Sequence, residues 1–474
     1  MSHALTPLDS AFLLLELPGS SMHIGAVITL DTEQGADPTH RFQLIRDTLA
    51  ARLQEIPVFT QRVERAPWDR AWPRLVPDVD FDLDRHVARA TLPPPGTEEQ
   101  FHELLGAFWS RPLPRDRPLW QLLVVDASTG TPAAVVLKVH HSLADGVSGV
   151  ATFAGLFDVT PDIRAGRERP AESDCEATVA QRGPRERRAA LMFHPMRLAT
   201  STARSLGRWW TASGAVTRFL VRGHRRAVAG QPSIFTARRT SFSGTPGRKK
   251  DFRCLCVPLS EVKKCAKRRD ASVTDFAMTV ASGAIARWME GRGEELKKDL
   301  VAFVPINVRG DGPFLALGNH ISYQLVALHA DVKEPAQRLA AIAADSARRA
   351  SAVRTSDIAG LQRTAVALGP ALLAVGARLA ARFGLFNVAP PVANVMISSL
   401  PGPPFTLWLS GLRVRSIAPI GPLLGGFPLN ITVLSYGDDL TFGLLGALNR
   451  VPDVARLRDY FLAEATFLLA APAN

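Results

Sequence analysis

Seven consecutive residues, His140-His141-Ser142-Leu143-Ala144-Asp145-Gly146, set two adjacent imidazoles before a carboxylate and a glycine. A neutral imidazole near pH 7 takes a proton from a hydroxyl and returns it to a leaving group, which is what acyl transfer to an alcohol or amine requires. The plain alternative is a histidine pair that ends a strand and bonds to backbone carbonyls. Against it stands the spacing: HHxxxDG arises by chance on the order of once in a thousand chains of this size. Other catalytic signatures are missing. Gly146-Val147-Ser148-Gly149 lacks the last glycine of a GxSxG nucleophile elbow, and neither GxxxxGK[ST] nor HExxH occurs. A covalent acyl-enzyme is therefore not required.

The histidines leave an apolar run, Ala133 to Val139, that reads as a buried strand. Successive side chains alternate between faces, so only one of His140 and His141 can face a given cavity, and the other is structural. Leu119 to Asp126 forms a second strand about five residues upstream, the spacing of an antiparallel hairpin. Pairing outward from Asp126 opposite Pro132 predicts Pro118 opposite His140 and Trp120 opposite Lys138, which sets Pro118-Leu119-Trp120 beside the histidines. A proline starting an edge strand and a tryptophan filling the core is the equal alternative. Gly146 to Phe157 reads as a helix, with Asp145 placed to cap it.

Farther out the pattern is mixed α/β. Met22 to Asp31 alternates as a strand, Phe42 to Leu53 suits a helix, and Thr97-x-x-Gln100 opens a helix with a capping box. In the second half, Ser272-x-x-Asp275 is a capping box for a helix through Trp288, which gives Asp275 a plain role at a helix N-terminus. Strands are expected at Leu300 to Val308, Ile321 to Leu328, Val392 to Ser398, Leu429 to Tyr436 and Leu440 to Leu445. Helices are expected at Glu334 to Ala352 and Asp453 to Leu469. A chain of 474 residues with 46% hydrophobic content exceeds one compact core and suggests two halves, 1–160 and 251–474, joined by 161–250.

That connector holds the whole charge excess, about 19 Lys+Arg against about 6 Asp+Glu, in a chain of formal charge +12. Between 189 and 228, Leu191-Met192-Phe193, Trp209-Trp210 and Phe219-Leu220-Val221 alternate with arginines. Rings interleaved with guanidinium groups suit a helix lying in an anionic lipid surface. Nucleic acid is disfavoured, since no nucleic-acid motif is present, and a basic connector packed on the two halves is the bland reading. The longest apolar run, Ala365 to Ala377, is interrupted by Gly369-Pro370 and is too short to span a bilayer. No signal peptide is read. Cys175, Cys254, Cys256 and Cys265 have neither disulfide nor zinc spacing, so they read as free buried thiols in a reducing cytoplasm.

The chain resembles the wax ester synthase/diacylglycerol acyltransferase family, within the CoA-dependent acyltransferases that share HxxxDG. The resemblance runs through Pro7-Leu8-Asp9-Ser10-Ala11-Phe12, Met22-His23-Ile24-Gly25, Phe81 to Val87, Pro118-Leu119-Trp120, Val304-Pro305-Ile306-Asn307-Val308-Arg309, Gly318-Asn319, Pro401-Gly402-Pro403 and Leu434-Ser435-Tyr436-Gly437. Two positions depart from it: Thr274 stands where the family has Asn beside Asp275, and Ser399 where Asn follows Ser398. The resemblance implies a two-domain, chloramphenicol acetyltransferase-like α/β fold of mixed sheets and helices around a central channel. It implies His141 as general base, His140 as its support, and Asp145 and Gly146 as structural parts of the motif. Pro118, Leu119, Trp120, Asp275, Asn307 and Asn319 are the residues expected along the channel. Acyl-CoA would be a substrate, with no cofactor and no metal, and the acceptor would be diacylglycerol or a fatty alcohol. The enzyme is then expected in the cytoplasm, peripheral at the inner membrane or a lipid droplet. A carrier-protein-dependent condensation-type enzyme and a non-catalytic lipid-surface homologue are the alternatives.

Overall fold

The computed structural model describes residues 3–31, 37–53, 56–69, 71–127, 133–143, 155–162, 237–296, 299–307, 321–350 and 357–471, with the isolated positions 217, 221, 224 and 225. Among these, the strands in chain order are β1 (His3–Ala4), β2 (His23–Leu30), β3 (Gln61–Glu64), β4 (Arg74–Pro77), β5 (Val87–Leu92), β6 (Trp120–Ala127), β7 (Ala134–His140), β8 (Lys250–Pro258), β9 (Val301–Asn307), β10 (Ile321–Ala327), β11 (Val395–Leu400), β12 (Trp408–Leu409), β13 (Leu412–Ile420), β14 (Leu429–Tyr436) and β15 (Asp439–Ala447). The helices are α1 (Pro7–Leu14), α2 (Pro38–Arg52), α3 (Glu98–Ser110), α4 (Leu259–Lys267), α5 (Val273–Glu290), α6 (Pro335–Ala350), α7 (Asp357–Arg382), α8 (Leu385–Val388) and α9 (Val454–Ala470). The expected helix from Gly146 to Phe157 falls mostly outside the described residues. So do Asp145, Gly146, Asn319, Cys175 and nearly all of the basic 189–228 stretch.

Two six-stranded mixed sheets carry the fold, ordered β12-β13-β2-β7-β6-β5 and β10-β9-β11-β14-β15-β8, with a small β1-β4-β3 sheet beside them. β7 is central in the first, and all seven of its residues are buried, as expected of a strand covered on both faces. The capping box predicted at Thr97 and Gln100 opens α3, and the one at Ser272 and Asp275 opens α5. In the second sheet, Ile431, Val433, Phe442 and Leu444 pack under α5 and α9.

The β6–β7 register differs by one residue from the predicted pairing: Trp120 lies opposite Val139, and Gln121 opposite Lys138. Over the described residues the ladder ends with Val125 opposite Ala134. Cross-strand partners share a face, so the slip moves Trp120 from the Lys138 side of β7 to the Val139 side.

The two halves of the chain are not separate sheets. β13, from the C-terminal half, pairs antiparallel with β2, Ile417 opposite Ile28 and Ile420 opposite Gly25. Where it passes over β15, a Cβ at Gly443 would collide with the Pro419 carbonyl, so only glycine admits the crossing. Tyr436, at the end of β14, clasps the β12–β13 ribbon: its hydroxyl accepts from the Leu407 N–H at 2.9 Å and donates to the Val414 carbonyl at 2.9 Å. The Pro401-Gly402-Pro403 segment is tied to the same strand end. The Gly402 N–H donates to Ser435 Oγ at 3.1 Å, and the Gly437 N–H to the Pro403 carbonyl at 3.1 Å.

α7 runs unbroken through Gly369-Pro370, where the sequence suggests an interruption. Ala374 and Ala377 are buried, and the helix packs on α1, so tertiary contact retains a helix that proline alone disfavours. Among the described residues no helix is long and apolar enough to cross a membrane. Cys254, Cys256 and Cys265 are free as expected, but only Cys265 is buried; Cys254 is half-buried and Cys256 exposed.

Buried charge ties helices to one another. Glu464 of α9 is buried and accepts from Arg338 of α6 at 3.0 Å and from Arg287 of α5 at 2.8 Å. Glu464→Ala would leave the buried Arg338 guanidinium without its carboxylate, at an expected cost of about 3–5 kcal/mol. Urea unfolding of the two proteins checks this, and a midpoint shift near zero would refute it.

Candidate functional site

His140 closes β7, and His141 starts the turn after it. The backbone N–H of His140 donates to the Leu119 carbonyl at 2.9 Å, and that of His141 to the Met22 carbonyl at 2.8 Å. Two neighbouring strands thus hold the two histidines on opposite sides, and the Pro118-Leu119-Trp120 stretch does adjoin the motif through Leu119.

The two rings have different surroundings. His141 is 8% exposed and stacks on Phe12 of α1, ring centroids 4.2 Å apart and planes 16° apart. His140 is 0% exposed. Its Nδ1 accepts from the Ser142 N–H at 3.1 Å and lies 2.8 Å from Ser142 Oγ. A backbone N–H can only donate, so Nδ1 is the unprotonated nitrogen and the ring proton sits on Nε2. That nitrogen faces the Arg115–Glu16 pair, 3.5 Å from the Arg115 guanidinium and 3.7 Å from Glu16 Oε2.

Glu16, half-buried, is the centre of a polar cluster that reaches from the buried histidines to the exposed Arg115. It pairs with Arg115, and its other oxygen lies 3.6 Å from Nε2 of His23, the residue opposite His140 across the β2–β7 ladder. Below it, the Lys138 ammonium donates to the last carbonyls of α3, Phe108 at 2.8 Å and Arg111 at 3.0 Å. Burial, with Lys250 and Arg111 nearby, pushes Lys138 down to about 7. Glu16 and Arg115 were not singled out in the sequence. Glu16 carries a faint signal, as the lone carboxylate in the apolar run Ala11 to Leu17, whereas nothing separates Arg115 from Arg111 and Arg117.

Burial, then the positive charge of Arg115, holds His140 well below its usual value; burial, then Lys138, does the same to His23. His86 and His102 are lowered too, again chiefly by burial. Each is neutral when folded yet titrates near 6.5 when unfolded. Stability is therefore fully present above pH 6.5 and falls as pH drops toward the folded values, by up to about 1.4 kcal/mol per pH unit for each histidine. Urea midpoints measured from pH 7.5 downward should decline steadily, and a flat profile to pH 5 would contradict this.

The expected channel residues do not share one environment. Pro118, Leu119 and Trp120 are buried; the Trp120 indole donates to the Phe59 carbonyl at 2.8 Å and stacks on His86 at 4.5 Å, a core-filling role. Asp275 is engaged within the protein. One oxygen takes the Ser272 N–H and hydroxyl, at 2.8 and 2.7 Å, and the other takes the Ser346 hydroxyl at 2.6 Å, so it caps α5 and ties it to α6. Thr274 beside it is half-buried in the same first turn. Asn307 ends β9, with its side chain outside the described set. Ser398 pairs in register with Thr432 and Ser399 with Val433.

Two mixed sheets, the first completed by a strand from the C-terminal half, with a histidine pair ending the central strand of that sheet, frame a two-lobed acyltransferase of the HHxxxDG class. The chain belongs to the wax ester synthase/diacylglycerol acyltransferase family: the family's catalytic domain matches residues 5–277 and its C-terminal domain residues 317–466. Two Mycobacterium tuberculosis proteins whose names describe diacylglycerol O-acyltransferases are similar along nearly the full length. One is 29% identical over 96% of this chain and 93% of its own, the other 30% identical over 96% of each. Among solved structures, the wax ester synthase/diacylglycerol acyltransferase from Marinobacter aquaeolei VT8 shares the fold, with TM-score 0.68 at 23% identity over 98% of both chains. The first condensation domain of the calcium-dependent antibiotic synthetase is a more distant relative, with TM-score 0.57 at 17% identity over 100% of this chain and 98% of that one.

Proposed function

We propose that this acyltransferase moves a long-chain acyl group from acyl-CoA to the hydroxyl of diacylglycerol or a fatty alcohol, with His141 as general base. The observation that carries this reading is the division of labour at the end of β7. His140 is locked in one neutral tautomer inside the protein, while His141 is held by its backbone and by Phe12 at the start of the turn. Nδ1 of His141 is buried, and the reading assigns Nε2 as the nitrogen that acts as base. That nitrogen takes the acceptor proton as its oxygen attacks the thioester carbonyl; the tetrahedral intermediate collapses, the C–S bond breaks, and the thiolate receives the proton.

A lipid-dissolved acceptor places the enzyme at a lipid surface, and the arginine-rich 189–228 stretch has the composition for contact with anionic headgroups. Purified protein incubated with palmitoyl-CoA and a panel of acceptors, followed by thiol release, tests the reading. Turnover is expected with diacylglycerol or hexadecanol. Transfer from a carrier-bound thioester but not from CoA would replace the donor, and no turnover with any acceptor would refute catalysis.

A further inference from the structure

Over its described side chains, α7 buries small residues and exposes large ones. Ala374 and Ala377 are buried on the side of the helix that packs on α1, whereas Leu372, Val375 and Leu379 face outward, and Phe383, just past the helix end, is 68% exposed. At 3.6 residues per turn, positions 372, 375, 379 and 383 fall within about 80° of one another, opposite the two alanines. A helix that faces water has the reverse arrangement. The apolar row continues through Leu385 and Val388, the latter 70% exposed. The turn beneath is anchored, since Asn387 Oδ1 accepts from the Thr245 N–H at 3.0 Å and from Arg450 at 2.9 Å.

Trp68 adds an independent feature. It is 83% exposed, and both it and Asp69 adopt left-handed backbone, φ 56° and 51°, unusual for these residues. Asp69 binds Arg65 at 2.7 Å and Arg378 of α7 at 3.3 Å, which fixes the indole beside the helix. From Pro370 to Val392 the only charged residues are Arg378 and Arg382. Large apolar side chains, an indole held in solvent and the arginines Arg378 and Arg382 at the edge of the row, with Arg378 shared with Asp69, match the apolar interior, headgroup zone and negative charge of a phospholipid surface.

We propose that the outer face of α7, with Phe383, Leu385, Val388 and Trp68, is the surface by which this enzyme docks on anionic phospholipid. The opposite face of α7 packs on α1, whose Phe12 stacks on His141, so docking brings lipid to the side of the fold that carries the proposed base. That last step rests on the proposed lipid acceptor; the docking itself does not.

Flotation of the full chain with vesicles of equimolar phosphatidylcholine and phosphatidylglycerol tests it. Leu379→Ser/Phe383→Ser and, separately, Trp68→Ala are expected to lower the bound fraction, the double variant by about tenfold or more. For the double variant, kcat/KM on vesicle-embedded dioleoylglycerol should fall by a similar factor, while transfer to butanol in water keeps its rate. Wild-type protein that stays unbound, or variants that float as wild type does, would overturn the proposal. So would light scattering that shows a wild-type dimer and monomeric variants, which would assign the face to a second copy of the chain. Loss of flotation in a protein with no acyl transfer to either acceptor would leave docking standing and remove the catalytic reading.

Discussion

His141→Ala is expected to lower kcat for thiol release from palmitoyl-CoA by about 10²–10⁴, with the Km for the thioester changed little. The imidazole acts only as the acceptor oxygen attacks, so its loss removes transition-state stabilisation and leaves donor binding in place. The fold should tolerate the change. The His141 backbone N–H still reaches the Met22 carbonyl, and the stacking contact with Phe12 that goes is worth about 0.5–1.5 kcal/mol. Single-turnover kinetics beside a thermal melt separates the two effects. A variant that keeps more than a tenth of wild-type kcat would remove His141 from the chemistry.

Glu16→Gln should give the second largest effect, a fall in kcat of about 10–100-fold with Km again nearly constant. Glu16 sits between the Nε2 atoms of the neutral His140 and His23 and pairs with Arg115, so its negative charge balances the guanidinium beside the two rings. Glutamine keeps the size but not the charge. Without it, the His140 ring loses the electrostatic reason to direct its Nε2 proton this way, and with that the Nδ1 bond that holds Ser142, the residue after His141. Small misplacement of a catalytic group costs about 10² in rate. Glu16→Asp, which restores the charge at shorter reach, should recover part of the loss, a rescue that a purely space-filling role would not produce. If Glu16→Gln turns over as wild type does, the cluster under His140 has no part in positioning.

Much of the architecture was legible because it follows from local rules. The strand before the histidines, the capping boxes at Thr97 and Ser272, and the β14–β15 hairpin each depend on residues within a few positions of one another. HHxxxDG with its flanking elements was enough to name the family. Register was harder, since no local pattern distinguishes Trp120 opposite Lys138 from Trp120 opposite Val139. Asp275 shows the same limit from the other side: its capping role was readable, but its use of the second oxygen on Ser346, 71 residues away, was not.

From the amino-acid order alone came the reaction class, the capped helix starts at Thr97 and Ser272 and the identity of the two histidines, since each is written in a short contiguous pattern. Folding decided the rest. It brought β13 from the C-terminal half to complete the N-terminal sheet, set Glu16 and Arg115 against His140, and left the large side chains of α7 on its outer face. These depend on which surfaces meet across hundreds of residues, where burial and close packing choose among partners that no local pattern distinguishes.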